Sequence, residues 1–82
     1  MNVEFKLFAS LAAFLPKGAE KNVAMLEVDE TTTPNMLITQ YALPSKEVHL
    51  VLLNGVYLTD ADRDDPMSEG DTLAIWPPVA GG

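Results

Sequence analysis

The sequence contains no cysteine among its 82 residues and only one histidine, His49. Without cysteine the chain can form no disulfide, no thiolate nucleophile and no zinc–thiolate site. His49 has no second histidine as a metal co-ligand, so we interpret it as an ordinary strand residue. The sequence also has no phosphate-binding loop and no nucleophile elbow. We therefore predict no metal site, no bound cofactor and no catalysis by this domain alone.

Basic residues are scarce. Five Lys and Arg stand against twelve Asp and Glu, which gives a net charge of −7. A charge of this sign repels nucleic acid and anionic membrane surfaces, so we expect neither as a partner. A protein with a basic surface is the natural counterpart, because complementary fields speed association. Alternatively, the charge only keeps a small domain soluble.

Long apolar runs are also missing. None approaches the ~20 residues that cross a bilayer. Residues 7–15 have the length of a signal-peptide core, but residues 1–6 carry no basic excess and residues 16–20 form a poor cleavage site. We therefore expect a cytoplasmic protein. Its 48% hydrophobic content predicts one globular domain, too small for an enclosed substrate site with catalytic machinery.

The apolar periodicity predicts an α+β fold. A main helix is expected from Pro34 to Tyr41, with Thr32 or Thr33 as its N-cap. Ser10 is expected to cap a short helix over residues 11–15. Asn54-Gly55 is a strong hairpin signal between two strands. The strands themselves are expected over residues 2–7, 24–29, 48–53, 56–58 and 72–76.

The segment from Thr59 to Gly70 is acidic, and we predict a flexible loop. Asp60, Asp62, Asp64 and Asp71 match the spacing of a calcium-binding loop, but the sixth position is aspartate where that loop needs glycine for its turn. The twelfth position should also be a bidentate glutamate. We interpret the loop as a solvated surface, or alternatively as a docking surface for a basic partner.

The chain ends in Gly81 and Gly82, shortly after an apolar strand and a proline pair. Glycine has no Cβ, so a Gly-Gly end can pass through a narrow channel. Prolines have no amide hydrogen, so Pro77 and Pro78 end ladder pairing. Six extended residues reach roughly 20 Å. We expect residues 1–76 to form the domain and residues 77–82 a flexible tail; an ordinary frayed end is the alternative.

Two aromatic residues are expected on the face of the sheet that the helix leaves open. Because side chains alternate between the two faces of a sheet, Phe8 points away from the face that holds the core residues of the first strand. Trp76 likewise points away from the face that holds the core residues of the last strand. Leu50 and Leu52 can join them. An exposed apolar patch on an acidic protein indicates a partner interface, unless loops or the short helix cover it.

The order of these elements, the Asn54-Gly55 turn, the turn at residues 69–71 and above all the ending from Ala74 to Gly82 resemble the ubiquitin-like sulfur carriers. The resemblance is strongest to the small subunit of molybdopterin synthase (molybdopterin-converting factor subunit 1), with the thiamine-pathway sulfur carrier second. It implies a β-grasp fold: a mixed sheet of four to five strands with one main helix across one face.

The resemblance also implies a function for the tail. An E1-like adenylyltransferase would use ATP to adenylate Gly82, which would then become a thiocarboxylate. The thiocarboxylate would donate sulfur inside the large catalytic subunit of molybdopterin synthase, for a molybdenum or tungsten cofactor. Gly81 would permit entry of the tail, and Pro77, Pro78, Val79 and Ala80 would aim it.

Two alternatives remain open at this point. The first is a ubiquitin-like modifier, in which Gly82 forms isopeptide bonds with lysines of target proteins. The same acyl adenylate would serve both that reaction and sulfur transfer. The second is a plain interaction module whose tail takes part in no chemistry.

Overall fold

The computed structural model describes residues 1–79, which form one mixed five-stranded sheet with a single α-helix. The strand order is β2-β1-β5-β3-β4. β1 and β5 are parallel, and the other neighbouring strands are antiparallel. The predicted α+β class, mixed sheet and main helix are confirmed. The elements are β1 (Asn2–Leu7), a first 3₁₀ helix (Ala9–Phe14), β2 (Val23–Glu27), α1 (Pro34–Gln40), a second 3₁₀ helix (Ser45–Glu47), β3 (Leu50–Leu53), β4 (Val56–Tyr57), a third 3₁₀ helix (Asp62–Asp64) and β5 (Thr72–Trp76).

The core lies between α1 and one face of the sheet. Phe5 of β1 and Leu73 of β5 are neighbours in the parallel ladder, and both side chains are fully buried. Leu37 covers them from α1, and the ring of Tyr41 lies 5.2 Å from that of Phe5. Each large apolar side chain buried in this way contributes about 1.5–3 kcal/mol. The alternation along β1 and β5 therefore decides which sheet face meets the helix.

The start of α1 is fixed by its capping residue. The Thr33 hydroxyl accepts a hydrogen bond from the Met36 amide at 3.1 Å, and Pro34 occupies the first helical turn. Of the two threonines considered, Thr33 is thus the N-cap of α1. Pro34 loses no hydrogen bond in the first helical turn. The helix ends at Gln40, one residue earlier than predicted, because Ala42 has a left-handed φ of 58°.

The short helix after β1 differs from the prediction. It is a 3₁₀ helix that begins at Ala9, and no side chain caps it, so the assignment of Ser10 as the cap was wrong. Ala9 has a φ of 52°, which turns the chain immediately after Phe8. The turn positions Leu11 in the core, where it is fully buried. Burial of Leu11 outweighs the strain of an alanine with positive φ.

Three strands are displaced or shortened relative to the prediction. β2 begins one residue earlier than expected and ends two residues earlier, and β4 is one residue shorter. β3 begins at Leu50 because the residues after Pro44 form the second 3₁₀ helix. His49 therefore lies before the strand, although its amide still donates to the Trp76 carbonyl at 3.1 Å.

The acidic segment from Thr59 to Gly70 is tied to the fold more closely than the sequence indicated. Met67 is buried, and its amide donates to the Thr32 carbonyl at 2.8 Å. The Asp64 carboxylate accepts a hydrogen bond from the Asn35 side chain at 2.8 Å. The segment therefore packs against the beginning of α1, and its acidic side chains point outward from an anchored loop.

The loop before α1 gives a pH-dependent prediction. Asp29 Oδ1 accepts hydrogen bonds from the Thr31 hydroxyl at 2.6 Å and the Thr31 amide at 2.8 Å. These bonds lower the pKa of Asp29, so its ionised form stabilises the fold above the pKa it has when unfolded. Asp29→Ala should lower the free energy of unfolding at neutral pH. The deficit should shrink as the pH falls from about 4, near the pKa of Asp29 in the unfolded chain, through the lower pKa of Asp29 in the folded protein.

Urea denaturation at neutral pH and at about pH 3 measures this effect. Glu30→Ala is the matched control, since Glu30 is an exposed neighbouring acid. An Asp29→Ala deficit of the same size at both pH values would contradict the assigned role of the carboxylate.

Candidate functional site

The face of the sheet opposite α1 carries a stacked pair of aromatic rings. The centroids of Phe8 and Trp76 lie 4.2 Å apart, and the ring planes differ by 4°. The parallel pairing of β1 with β5 brings the two residues together, and the Phe8 amide donates to the Ile75 carbonyl at 3.2 Å. Both side chains are partly exposed. The prediction that these aromatics share the open face is confirmed.

Two leucines extend this aromatic pair. Leu50 is the direct cross-strand neighbour of Trp76, and Leu52 is that of Ala74. Directly opposite residues point to the same face of a sheet, so both leucines lie beside the rings. Each remains partly exposed. We call Phe8, Leu50, Leu52 and Trp76 the open-face patch; partner binding by it stays a prediction.

Two further residues lie on this face that the sequence did not lead us to expect there. Tyr57 is 55% exposed and lies opposite Leu52 in the β3–β4 hairpin. Lys6 is paired with Ala74, and it adds a positive charge next to the patch. Alternation across the Asn54-Gly55 turn could have indicated Tyr57. The position of Lys6 needed the parallel β1–β5 register, which no local pattern reveals.

The tail leaves the sheet directly beside the patch. β5 pairing ends at Trp76, as the proline pair predicts. Pro77 is partly buried, Pro78 is exposed, and Val79 is 80% exposed. The chain therefore moves away from the core within three residues. The predicted sites Ala80, Gly81 and Gly82 lie outside the described residues.

The acidic side chains of the loop bind different neighbours. Asp60 lies 3.4 Å from the Arg63 guanidinium, and Asp62 accepts a hydrogen bond from the Thr59 amide at 3.2 Å. Asp71 binds the Asn54 side chain and the Ser68 amide instead.

Among residues 1–79 no group of three or more His, Asp or Glu side chains could hold a metal ion. In the same range, no helix is both long and apolar enough to cross a membrane.

A comparison with protein families identifies the chain. Residues 1–81 match the family model described as Mut7-C ubiquitin. This protein belongs to the Mut7-C ubiquitin family. No curated protein matches the chain. The predicted ubiquitin-like character is thus confirmed by a match over almost the whole sequence.

Solved structures similar to this family member include small archaeal modifiers. SAMP1 from Haloferax volcanii is 29% identical with a TM-score of 0.69, and the match covers 100% of both chains. A second structure, of H. volcanii small archaeal modifier protein 1, is 27% identical with a TM-score of 0.68, covering 95% of this chain and 98% of that one.

A further match is a putative molybdopterin converting factor subunit 1 from Pyrococcus furiosus. It is 23% identical with a TM-score of 0.65, covering 95% of this chain and 98% of that one. At this identity the likeness shows the fold alone. Together with the modifiers it confirms the β-grasp architecture.

The stacked rings give a testable energetic prediction. Aromatic pairs in this geometry contribute about 0.5–1.5 kcal/mol beyond the area they bury. A double-mutant cycle with Phe8→Leu and Trp76→Leu should therefore show a coupling free energy of this size in urea denaturation. The control cycle pairs Phe8→Leu with Leu52→Ala, because Leu52 has no ring and its coupling to Phe8 contains no stacking contribution. Equal coupling in the two cycles would show that the stack adds nothing specific.

Proposed function

We propose that this protein is a sulfur carrier of molybdopterin biosynthesis, whose Gly82 carboxylate is adenylated and then converted to a thiocarboxylate. The observation that carries the proposal is the position of the tail. Residues 77–79 leave the sheet beside the open-face patch and become exposed within three residues. A partner that contacts the patch would therefore receive the tail as well.

The chemistry requires activation by another protein. A free carboxylate is a poor acyl donor, so ATP must convert the Gly82 carboxylate to an acyl adenylate, with release of pyrophosphate. A sulfur nucleophile delivered by a donor then attacks the acyl carbon, and AMP leaves. Since the chain has no cysteine, this sulfur must come from outside the protein. The activating enzyme is proposed to be an E1-like adenylyltransferase, which would use cytoplasmic ATP.

The thiocarboxylate then acts as a tethered reagent. Inside a partner's active site, its sulfur would attack a carbon of the bound precursor and displace a leaving group, which gives an acyl thioester. Water would then hydrolyse the bond between the sulfur and the acyl carbon, so the sulfur stays on the precursor as a thiol and Gly82 returns to a carboxylate. Tethering gives the reacting group a high effective concentration, because the domain is held at the surface of the partner. We propose the large catalytic subunit of molybdopterin synthase as this partner. Support comes from a structure of the same fold, titled a complex of subunits 1 and 2 of the molybdopterin-converting factor from Helicobacter pylori.

A second candidate function is protein modification. It is favoured by the 29% identity to SAMP1 and the 27% identity to a structure titled small archaeal modifier protein 1. In this case a lysine amine of a target protein would displace AMP and form an isopeptide bond. The intact mass of the protein from its native cells separates the two functions. Replacement of one oxygen by sulfur indicates a carrier, whereas a ladder of heavier conjugates indicates a modifier.

The terminus provides the first test of the proposal. Deletion of Gly82 should abolish adenylation by the activating enzyme, because the acyl group to be activated is displaced by one residue. The measurement is the ATP–pyrophosphate exchange rate. Val56→Ala is the control, since it alters an exposed side chain of β4 outside the open-face patch and leaves the tail intact. Undiminished exchange with the deletion variant, folded like the native protein, would refute both the carrier and the modifier functions.

The open-face patch provides the second test. Trp76→Ala should weaken binding to the activating enzyme by about 2 kcal/mol or more, because aromatic anchors dominate interfaces. The free domain should lose less than the ~3–5 kcal/mol typical of a fully buried tryptophan, since this ring is partly exposed. Titration calorimetry and urea denaturation measure the two effects. If the variant is strongly destabilised yet binds normally when folded, Trp76 belongs to the core and not to the interface.

A further inference from the structure

β2 is an outer strand of the sheet, with β1 as its neighbour on one side. The Leu7 amide donates to the Asn22 carbonyl, and the Val28 amide donates to the Met1 carbonyl. In an antiparallel ladder the residues that bond a given neighbour alternate. Residues 22, 24, 26 and 28 therefore face β1, and the backbone groups of Met25 and Glu27 point toward the free edge.

The free edge is short because a turn closes one end of it. Val23 also faces outward, but it exchanges two hydrogen bonds with Glu20, both of 3.0 Å. Met25 and Glu27 are left as the outward-facing residues of β2. Both side chains are exposed, that of Met25 by 65%. An exposed edge with unpaired amides and carbonyls is a template for another strand.

Two clefts flank this edge. The first has a volume of about 550 Å³ and is lined by residues 16–21 together with the first half of β2. The second, of about 440 Å³, lies between the second half of β2 and α1, and it is lined by Met36 and Tyr41 among others. An added strand places alternate side chains on opposite faces. The two clefts provide space for both sets.

The charges along the edge have opposite signs at its two ends. Lys17 and Lys21 lie beside the start of β2, and Lys17 lines both clefts. Glu27, Asp29 and Glu30 lie at its end. The first cleft also contains two acids: Glu20 is exposed, and the Glu4 carboxylate already accepts a hydrogen bond from Thr72. Such an edge is complementary to itself when a second copy runs antiparallel.

We propose that two copies of this protein associate through their β2 edges, with Leu26 opposite Leu26 of the second copy. In this register Met25 of each copy lies opposite Glu27 of the other. Each pair exchanges two hydrogen bonds, so every outward backbone group of Met25 and Glu27 gains a partner. A two-fold contact of this kind is closed and cannot propagate into a fibre.

The register also brings opposite charges of the two copies together and places residues of each copy in the clefts of the other. The end of β2 from one copy enters the cleft beside the start of β2 in the other, which brings Glu27 and Asp29 of one copy toward Lys17 and Lys21 of the second. On the helix side, the paired Leu26 side chains lie at the second cleft. The association is independent of the proposed sulfur chemistry, because the open-face patch lies on β3, on β5 and at the residue that follows β1, and it stays accessible in the pair.

Sedimentation equilibrium of the native protein, from micromolar to millimolar concentration at physiological salt, should show a reversible dimer. Met25→Pro should weaken this dimer by roughly tenfold or more, because each copy loses the amide that donates across the interface. Proline is tolerated at an edge position whose amide faces solvent, so the monomer should keep its circular dichroism spectrum. Met25→Ala is the control, since it retains the amide and should still dimerise.

A charge exchange tests the register without proline. Glu27→Lys alone should weaken the dimer by placing like charges together, and Glu27→Lys combined with Lys17→Glu should restore it. A native protein that stays monomeric up to millimolar concentration would overturn the proposal. So would a folded Met25→Pro variant that dimerises like the native protein, or a charge exchange that fails to restore association.

Discussion

The parallel pairing of β1 with β5 is the interaction on which the rest of this structure depends. It joins the two ends of the chain at the centre of the sheet and buries Phe5 beside Leu73. Pairing strands so distant in sequence closes a long loop, and the entropy lost in closing it must be recovered from burial. The core formed by α1 against these two strands provides it.

The same pairing creates the candidate site on the opposite face. Because β1 and β5 lie side by side, the residue after β1 and the last residue of β5 come together, and Phe8 stacks on Trp76. Antiparallel pairing of β3 with β5 then adds Leu50 and Leu52. The tail begins at the same point, at Pro77. The position of the open-face patch and the start of the tail are thus set by one strand end.

The central and outer strands have different roles in this arrangement. β1, β5 and β3 form the centre of the sheet, and the open-face patch lies on β3, on β5 and at the residue that follows β1, whereas β2 and β4 are the outer strands. The outer edge of β2 is short and carries opposite charges at its two ends, which limits nonspecific edge pairing. An acidic protein of this size can therefore present two separate surfaces on one small core.

Local patterns in the sequence determined the elements that depend on neighbouring residues. Alternation along Val3, Phe5 and Leu7 indicated a strand with one buried face, Thr33 and Pro34 indicated the start of α1, and Asn54-Gly55 indicated the hairpin. The α+β class followed from their order. Alternation also placed Phe8 and Trp76 on the open face, because side-chain direction in a strand is a local property.

Only the tertiary structure decided features that depend on contacts between distant segments. Burial of Leu11 imposed a positive φ on Ala9 and replaced the expected cap, and contact with the start of α1 anchored the acidic loop through Met67. The neighbours of Lys6 and the free edge of β2 depend on strand order, which no local pattern encodes. The sequence therefore specified local conformation and side-chain direction, while long-range packing decided which surfaces meet and which remain free.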